Sequence, residues 1–166
     1  DIWVGDYFEK ELGMKVYLHD EVQEINGKRF YLAHGHRTGY RPFMVKVMHY
    51  FFHATWVRRL YNIVHPTINY AFGLKWSKSN RLYKHKQDEA QYMGEDKEHL
   101  VQFAKKYLQS NPDIDYFIFG HRHVMLDLML TKTARIIYLG DWISHFSYAV
   151  LDNEGLRLEM YEEWVT

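Results

Sequence analysis

The sequence contains no cysteine. That excludes a disulfide scaffold and a thiolate metal site, so any transition-metal site must be built from His, Asp, Glu or Asn. The same absence fits a reducing compartment. There is no run of 18 apolar residues, so no segment reads as a membrane-spanning helix. The opening residues DIWVGDYFEK carry acids where a signal peptide would carry bases. Repeats and low-complexity tracts are also missing. The most informative gap is in one sign of charge. Between Glu24 and Asp88 there is no acidic residue, yet this stretch holds 12 of the 21 Lys and Arg residues. A net charge of zero hides that block. Such a segment suggests an anionic partner: phosphate, nucleic acid or a membrane surface.

What is present suits one domain of 166 residues, with 47% hydrophobic residues for a core. The 17% aromatic content needs an outlet in a core, an interface or a ligand surface. Residues 2–12 read as a short amphipathic helix closed by Gly13. Strands are expected at 15–18, 21–25 and 29–33, the last two joined by the turn signal Asn26-Gly27. Residues 42–86 read as a helical insertion: Pro42 and Pro66 can open helices, and apolar residues recur on one face amid basic ones. Residues 88–109 read as a helix, with acids early and Lys105-Lys106 late, as the helix dipole prefers. Further strands are expected at 115–119, 124–130, 135–139, 146–151 and 156–162, with a turn at 153–155. Strands, a helical insertion, a helix and then more strands argue an α/β or α+β layered fold.

Two segments carry chemistry. Both Ala33-His34-Gly35-His36 and Phe119-Gly120-His121-Arg122-His123 follow an apolar strand and deliver histidine at its C-terminal end. Ligands of open α/β sheets gather at such ends. Glycine beside histidine lets the backbone turn sharply and approach a ligand, and imidazole nitrogen suits Mn, Fe, Ni and Zn. A lone histidine after a strand is more often an ordinary satisfied polar residue, so the pair of segments counts for more than either alone. His36, His19 and His145 are weaker candidates. His49, His53, His65, His85 and His99 fall in expected helices and read as surface or packing residues.

Strand-GHxH, a further strand and Tyr138-Leu139-Gly140-Asp141-Trp142 resemble the end of a calcineurin-like metallophosphoesterase. Ala33-His34-Gly35-His36 resembles that family's HG[HD] motif. Asp141 departs from the family pattern Asn-hydrophobic-Gly-Ser, against which this chain reads Tyr138-Leu139-Gly140-Asp141. The stretch Trp76-Ser77-Lys78-Ser79-Asn80-Arg81 and the ending from Gly140 to Val150 resemble the branch acting on a lipid-linked diphosphate in lipid A synthesis.

The resemblance implies an α/β fold: the C-terminal part of a sandwich of two mixed sheets flanked by helices, with residues 42–86 as a cap within one domain spanning 1–166. It implies a hydrolase with two divalent metal ions, Mn in first place. His34 and His121 would bind one ion and His123 the other, and Arg41, Lys78 and Arg81 would face the diphosphate. It implies a cytoplasmic protein, peripheral on the inner membrane, with a lipid-linked diphosphate substrate and no nucleic-acid partner. The family's D-x-H, G-D and G-N-H-[DE] motifs do not occur in context. The expectation is therefore an N-terminally truncated domain with no catalytic residue of its own, inactive without the missing segment or a second chain. Two alternatives stand beside this: a metallophosphoesterase acting on another phosphoester, and a non-catalytic basic module that binds a membrane or nucleic acid.

Overall fold

The computed structural model describes residues 6–36, 38, 43–83 and 91–161, leaving aside the side chains of residues 45, 49, 58 and 77–83. The chain divides into two compact units, one of residues 1–18 and 40–86, the other of residues 19–39 and 87–166.

The second unit is layered. Its main sheet has five strands: β1 (Glu21–Ile25), β2 (Lys28–Ala33), β3 (Tyr116–Phe119), β4 (Met125–Met129) and β5 (Arg135–Leu139), in the order β1-β2-β3-β5-β4. β2, β3 and β5 run parallel at the centre, and β1 and β4 pair antiparallel at the two edges. Asn26 and Gly27 both adopt positive φ, +53° and +71°, the conformation of the two-residue turn that matches strand twist. A separate antiparallel pair, β6 (Ser147–Asp152) and β7 (Gly155–Met160), forms the second sheet.

Alternation along the central strands explains both layers. Tyr31, Phe117, Phe119, Ile136 and Tyr138 face the helix α5 (His99–Ser110) and bury against Leu100, Val101, Ala104 and Leu108. Those four helix positions lie on one face of a 3.6-residue period. Phe30, Tyr116, Ile118, Ile137 and Leu139 point the other way, into a cluster with Ala149, Leu151, Leu156 and Leu158 of the hairpin. Central parallel strands buried on both faces read as continuous apolar runs, as Tyr116–Phe119 does and as Arg135–Leu139 does after its first residue. The expected α/β architecture is therefore present.

The first unit is helical: α1 (Tyr7–Lys10), α2 (Phe43–His53), α3 (Thr55–Ile63) and α4 (Pro66–Tyr83). Many of its apolar side chains are exposed, among them Phe43, Tyr50, Trp56, Leu60 and Ile63.

Several expectations need correction. Residues 15–18 form no strand. Among the described residues the first helix is a single turn, Tyr7–Lys10. The helix expected over 88–109 begins only at His99, because residues 91–98 form turns around Gly94 (φ +96°). The acids therefore precede the helix rather than fill its first turn, and no basic residue lies in its last. The dipole argument for that segment does not apply.

Candidate functional site

Three neighbouring parallel strands end together. Ala33 of β2 pairs with Phe119 of β3, which pairs with Tyr138 of β5. The residues that follow are His34-Gly35-His36, Gly120-His121-Arg122-His123 and Gly140-Asp141. The sheet register, not sequence proximity, brings these segments to one end of the central strands. The rings of His34 and His121 are 5.3 Å apart between centroids, those of His34 and His36 5.1 Å, and those of His36 and His121 6.2 Å. Gly120 lies against the His34 ring, where a Cβ would sit in ordinary contact with Nδ1, at 3.4 Å.

The loop after β3 is tightly wound. The Arg122 N–H donates to the Gly120 carbonyl at 2.7 Å, closing a turn around His121. His121 and His123 both take positive φ, +64° and +51°. Such conformations are uncommon outside glycine and persist where surrounding structure enforces them. Arg122, between the two histidines, is held from several sides. Its Nη2 donates to Oε1 of Glu98 at 2.8 Å and its Nε to Oε2 at 3.1 Å. Nη2 also donates to the Gln91 carbonyl at 3.3 Å. The Glu98 side chain is 1% exposed and that of Arg122 12%. This buried two-pronged ion pair ties the histidine loop to the start of α5.

Protein packed around His34 and His121 lowers the pKa of both, although each keeps contact with solvent. His121 is pulled down to about 4, by loss of water first and then by neighbouring His34, His99, His123 and Arg122. Both imidazoles are thus neutral at pH 7 and retain a lone pair for a metal ion. His99, read from the sequence as a surface or packing residue, stands near enough to act on His121.

Asp141 follows β5 and Gly140. Its Oδ1 accepts backbone N–H groups of Ile143 at 2.8 Å, Ser144 at 2.5 Å and His145 at 3.2 Å. These donors hold its carboxyl well below the usual range. Its Oδ2 lies 3.3 Å from Nδ1 of His145 and 3.5 Å from Nδ1 of His123. The sequence marked Asp141 only as a departure from a family pattern and His145 only as a weak candidate. Their association with His123 requires β3 and β5 to be neighbours.

The donor set suits a divalent transition metal, being imidazole with a carboxylate behind it. Among the described residues, however, no group of three or more His, Cys, Asp or Glu side chains can hold a metal ion by itself. Arg41 lies outside the described residues, and the side chains of Lys78 and Arg81 lie outside the described side chains. No described helix is long and apolar enough to cross a membrane.

Comparison with known proteins adds the following. No family model matches the chain. It is 37% identical over 176 aligned residues to a UDP-2,3-diacylglucosamine hydrolase of Porphyromonas gingivalis, an alignment covering 98% of this chain and 66% of that protein. It is 24% identical over 128 residues to a protein of the same name from Photorhabdus laumondii subsp. laumondii, covering 74% of this chain and 49% of that one. The chain thus spans about two thirds of the length of the first relative and about half of the second.

Proposed function

The chain resembles UDP-2,3-diacylglucosamine hydrolase over nearly its whole length, and from this premise we propose that the protein containing it hydrolyses the diphosphate of UDP-2,3-diacylglucosamine. In that reaction one P–O bond of the diphosphate breaks and one forms to the oxygen of water. The products are UMP and a lipid monosaccharide phosphate. The observation that carries the proposal is the register that ends three parallel strands together, with the rings of His34 and His121 5.3 Å apart after two of them and His123 lying 3.5 Å from Asp141, which follows the third.

We assign His34 and His121 to one divalent ion and His123 to a second, with Mn²⁺ as the ion. When bound, such a pair of ions supplies Lewis acidity toward the diphosphate and a nucleophile at neutral pH. The chain's own residues do the following. His34 and His121 present neutral imidazoles. Arg122, anchored on Glu98, fixes the backbone that carries His121 and His123. The relatives are longer than the aligned region, and we place the remaining ligands in the part of the protein beyond these 166 residues. On this reading the chain alone has little activity.

Arg41, Lys78 and Arg81 are assigned to the diphosphate. Exposed apolar residues of α2–α4, with exposed Lys46, Arg59 and Lys75 among them, are assigned to the acyl chains and an anionic membrane surface. The test is UMP release from UDP-2,3-diacylglucosamine by the intact protein, with and without Mn²⁺, compared with His121→Ala.

A further inference from the structure

The carboxylate of Asp141 is divided between two tasks. Its Oδ1 accepts three backbone N–H groups of the turn after β5. Its Oδ2 faces two ring nitrogens, both Nδ1, belonging to His145 and His123. The side chain is 9% exposed and cannot swing away without releasing the turn. A carboxylate oxygen has two lone pairs, so it can serve both rings.

A neutral imidazole carries one proton, and the partner of one nitrogen decides which nitrogen holds it. An ionised carboxylate opposite Nδ1 favours a proton there and leaves the lone pair on Nε2. We propose that Asp141 is a positioning residue that holds His123 and His145 in the Nδ1–H tautomer, so that Nε2 is the nitrogen each offers to a divalent cation. The purpose of this arrangement rests on the metal reading above; the tautomer itself does not. It also brings His145 beside His123 as a second imidazole governed by the same oxygen.

Asn in place of Asp separates this role from mere support. Asp141→Asn keeps an oxygen for the three backbone donors and puts an amide NH₂ where Oδ2 was. That NH₂ donates to Nδ1, so each ring must carry its proton on Nε2. The same substitution behind the histidine of a serine-protease triad leaves the geometry intact and imposes the wrong tautomer. The experiment uses the intact protein, metal-free and ¹⁵N-labelled at histidine, at about pH 8.5, where an ordinary imidazole is neutral. Long-range ¹H–¹⁵N correlation reads the tautomers of His123 and His145.

The expected result is Nδ1–H for His123 in the wild type and Nε2–H in Asp141→Asn, with Mn²⁺ affinity falling by about 10–100-fold. Nε2–H in the wild type overturns the proposal, and that reading needs no variant to fold. An unchanged tautomer in Asp141→Asn overturns it as well. Tautomer switching in a protein that binds no Mn²⁺ upholds the role of Asp141 and refutes the metal reading. Mn²⁺ binding without tautomer control does the reverse.

Discussion

Replacing Arg122 by Met should destabilise the sheet unit by about 3–5 kcal/mol, the usual cost of stripping a buried carboxylate of its partner. The structure supports the upper part of that range. The Glu98 side chain is only 1% exposed, so water cannot replace the guanidinium. Two charge-assisted bonds, at 2.8 and 3.1 Å, would be lost together. The Met93 N–H still donates to Oε1 of Glu98, at a long 3.4 Å. Replacing both partners, Glu98→Leu with Arg122→Met, should recover most of the loss, because two charges then leave the interior together. Native-state hydrogen exchange at the amides of Phe117 and Ile137 reads the opening of this unit. A loss of 3–5 kcal/mol corresponds to exchange faster by about two to four orders of magnitude. A single-variant effect below about 1 kcal/mol would refute the reasoning. So would a double variant no more stable than Arg122→Met.

Two further outcomes follow from local geometry. Gly140 has φ +75°, and a Cβ there would meet Oγ of Ser147 at 2.2 Å. Gly140→Ala should cost about 3 kcal/mol or more in urea unfolding, combining left-handed strain with overpacking. Gly27 has a similar φ of +71° and open space around it, so Gly27→Ala should cost only about 1–2 kcal/mol. Equal effects would remove the steric argument. Asp152 has its carboxyl held below the ordinary range by Arg157 first and by the Glu154 N–H next. A depressed folded-state pKa gives stability that is present above the unfolded value near 3.9 and is lost as pH falls through the folded value. Asp152→Asn should therefore lower Tm at pH 7 and make its decline toward pH 2 shallower than in the wild type.

Where local rules govern, the fold was legible. Asn26-Gly27 has one good use, a tight hairpin turn, and the chain uses it so. The runs Tyr116–Phe119 and, after Arg135, residues 136–139 are apolar on both faces because helix and hairpin cover the two sides of the sheet. Histidines at strand ends were also visible as such. Non-local requirements were not. Nothing near Glu98 shows that its side chain is committed to Arg122, 24 residues on, so the acids before α5 looked like a helix N-terminus. Residues 15–18 carry a strand-like pattern, but a strand exists only through a partner. Asp141 looked like a flaw against a family pattern because its partner His123 arrives from another strand, across the β4–β5 hairpin.

The central claim is metal-dependent hydrolysis at these strand ends, and one measurement bears on it most directly. The intact protein, stripped of metal by a chelator, is given UDP-2,3-diacylglucosamine, and UMP is followed as Mn²⁺ is restored. The account predicts no release without metal, recovery on its return, and loss of at least about a hundredfold in His121→Ala, comparable to removing a group essential to a two-metal site. Metal-independent release, or full activity in His121→Ala, would contradict it.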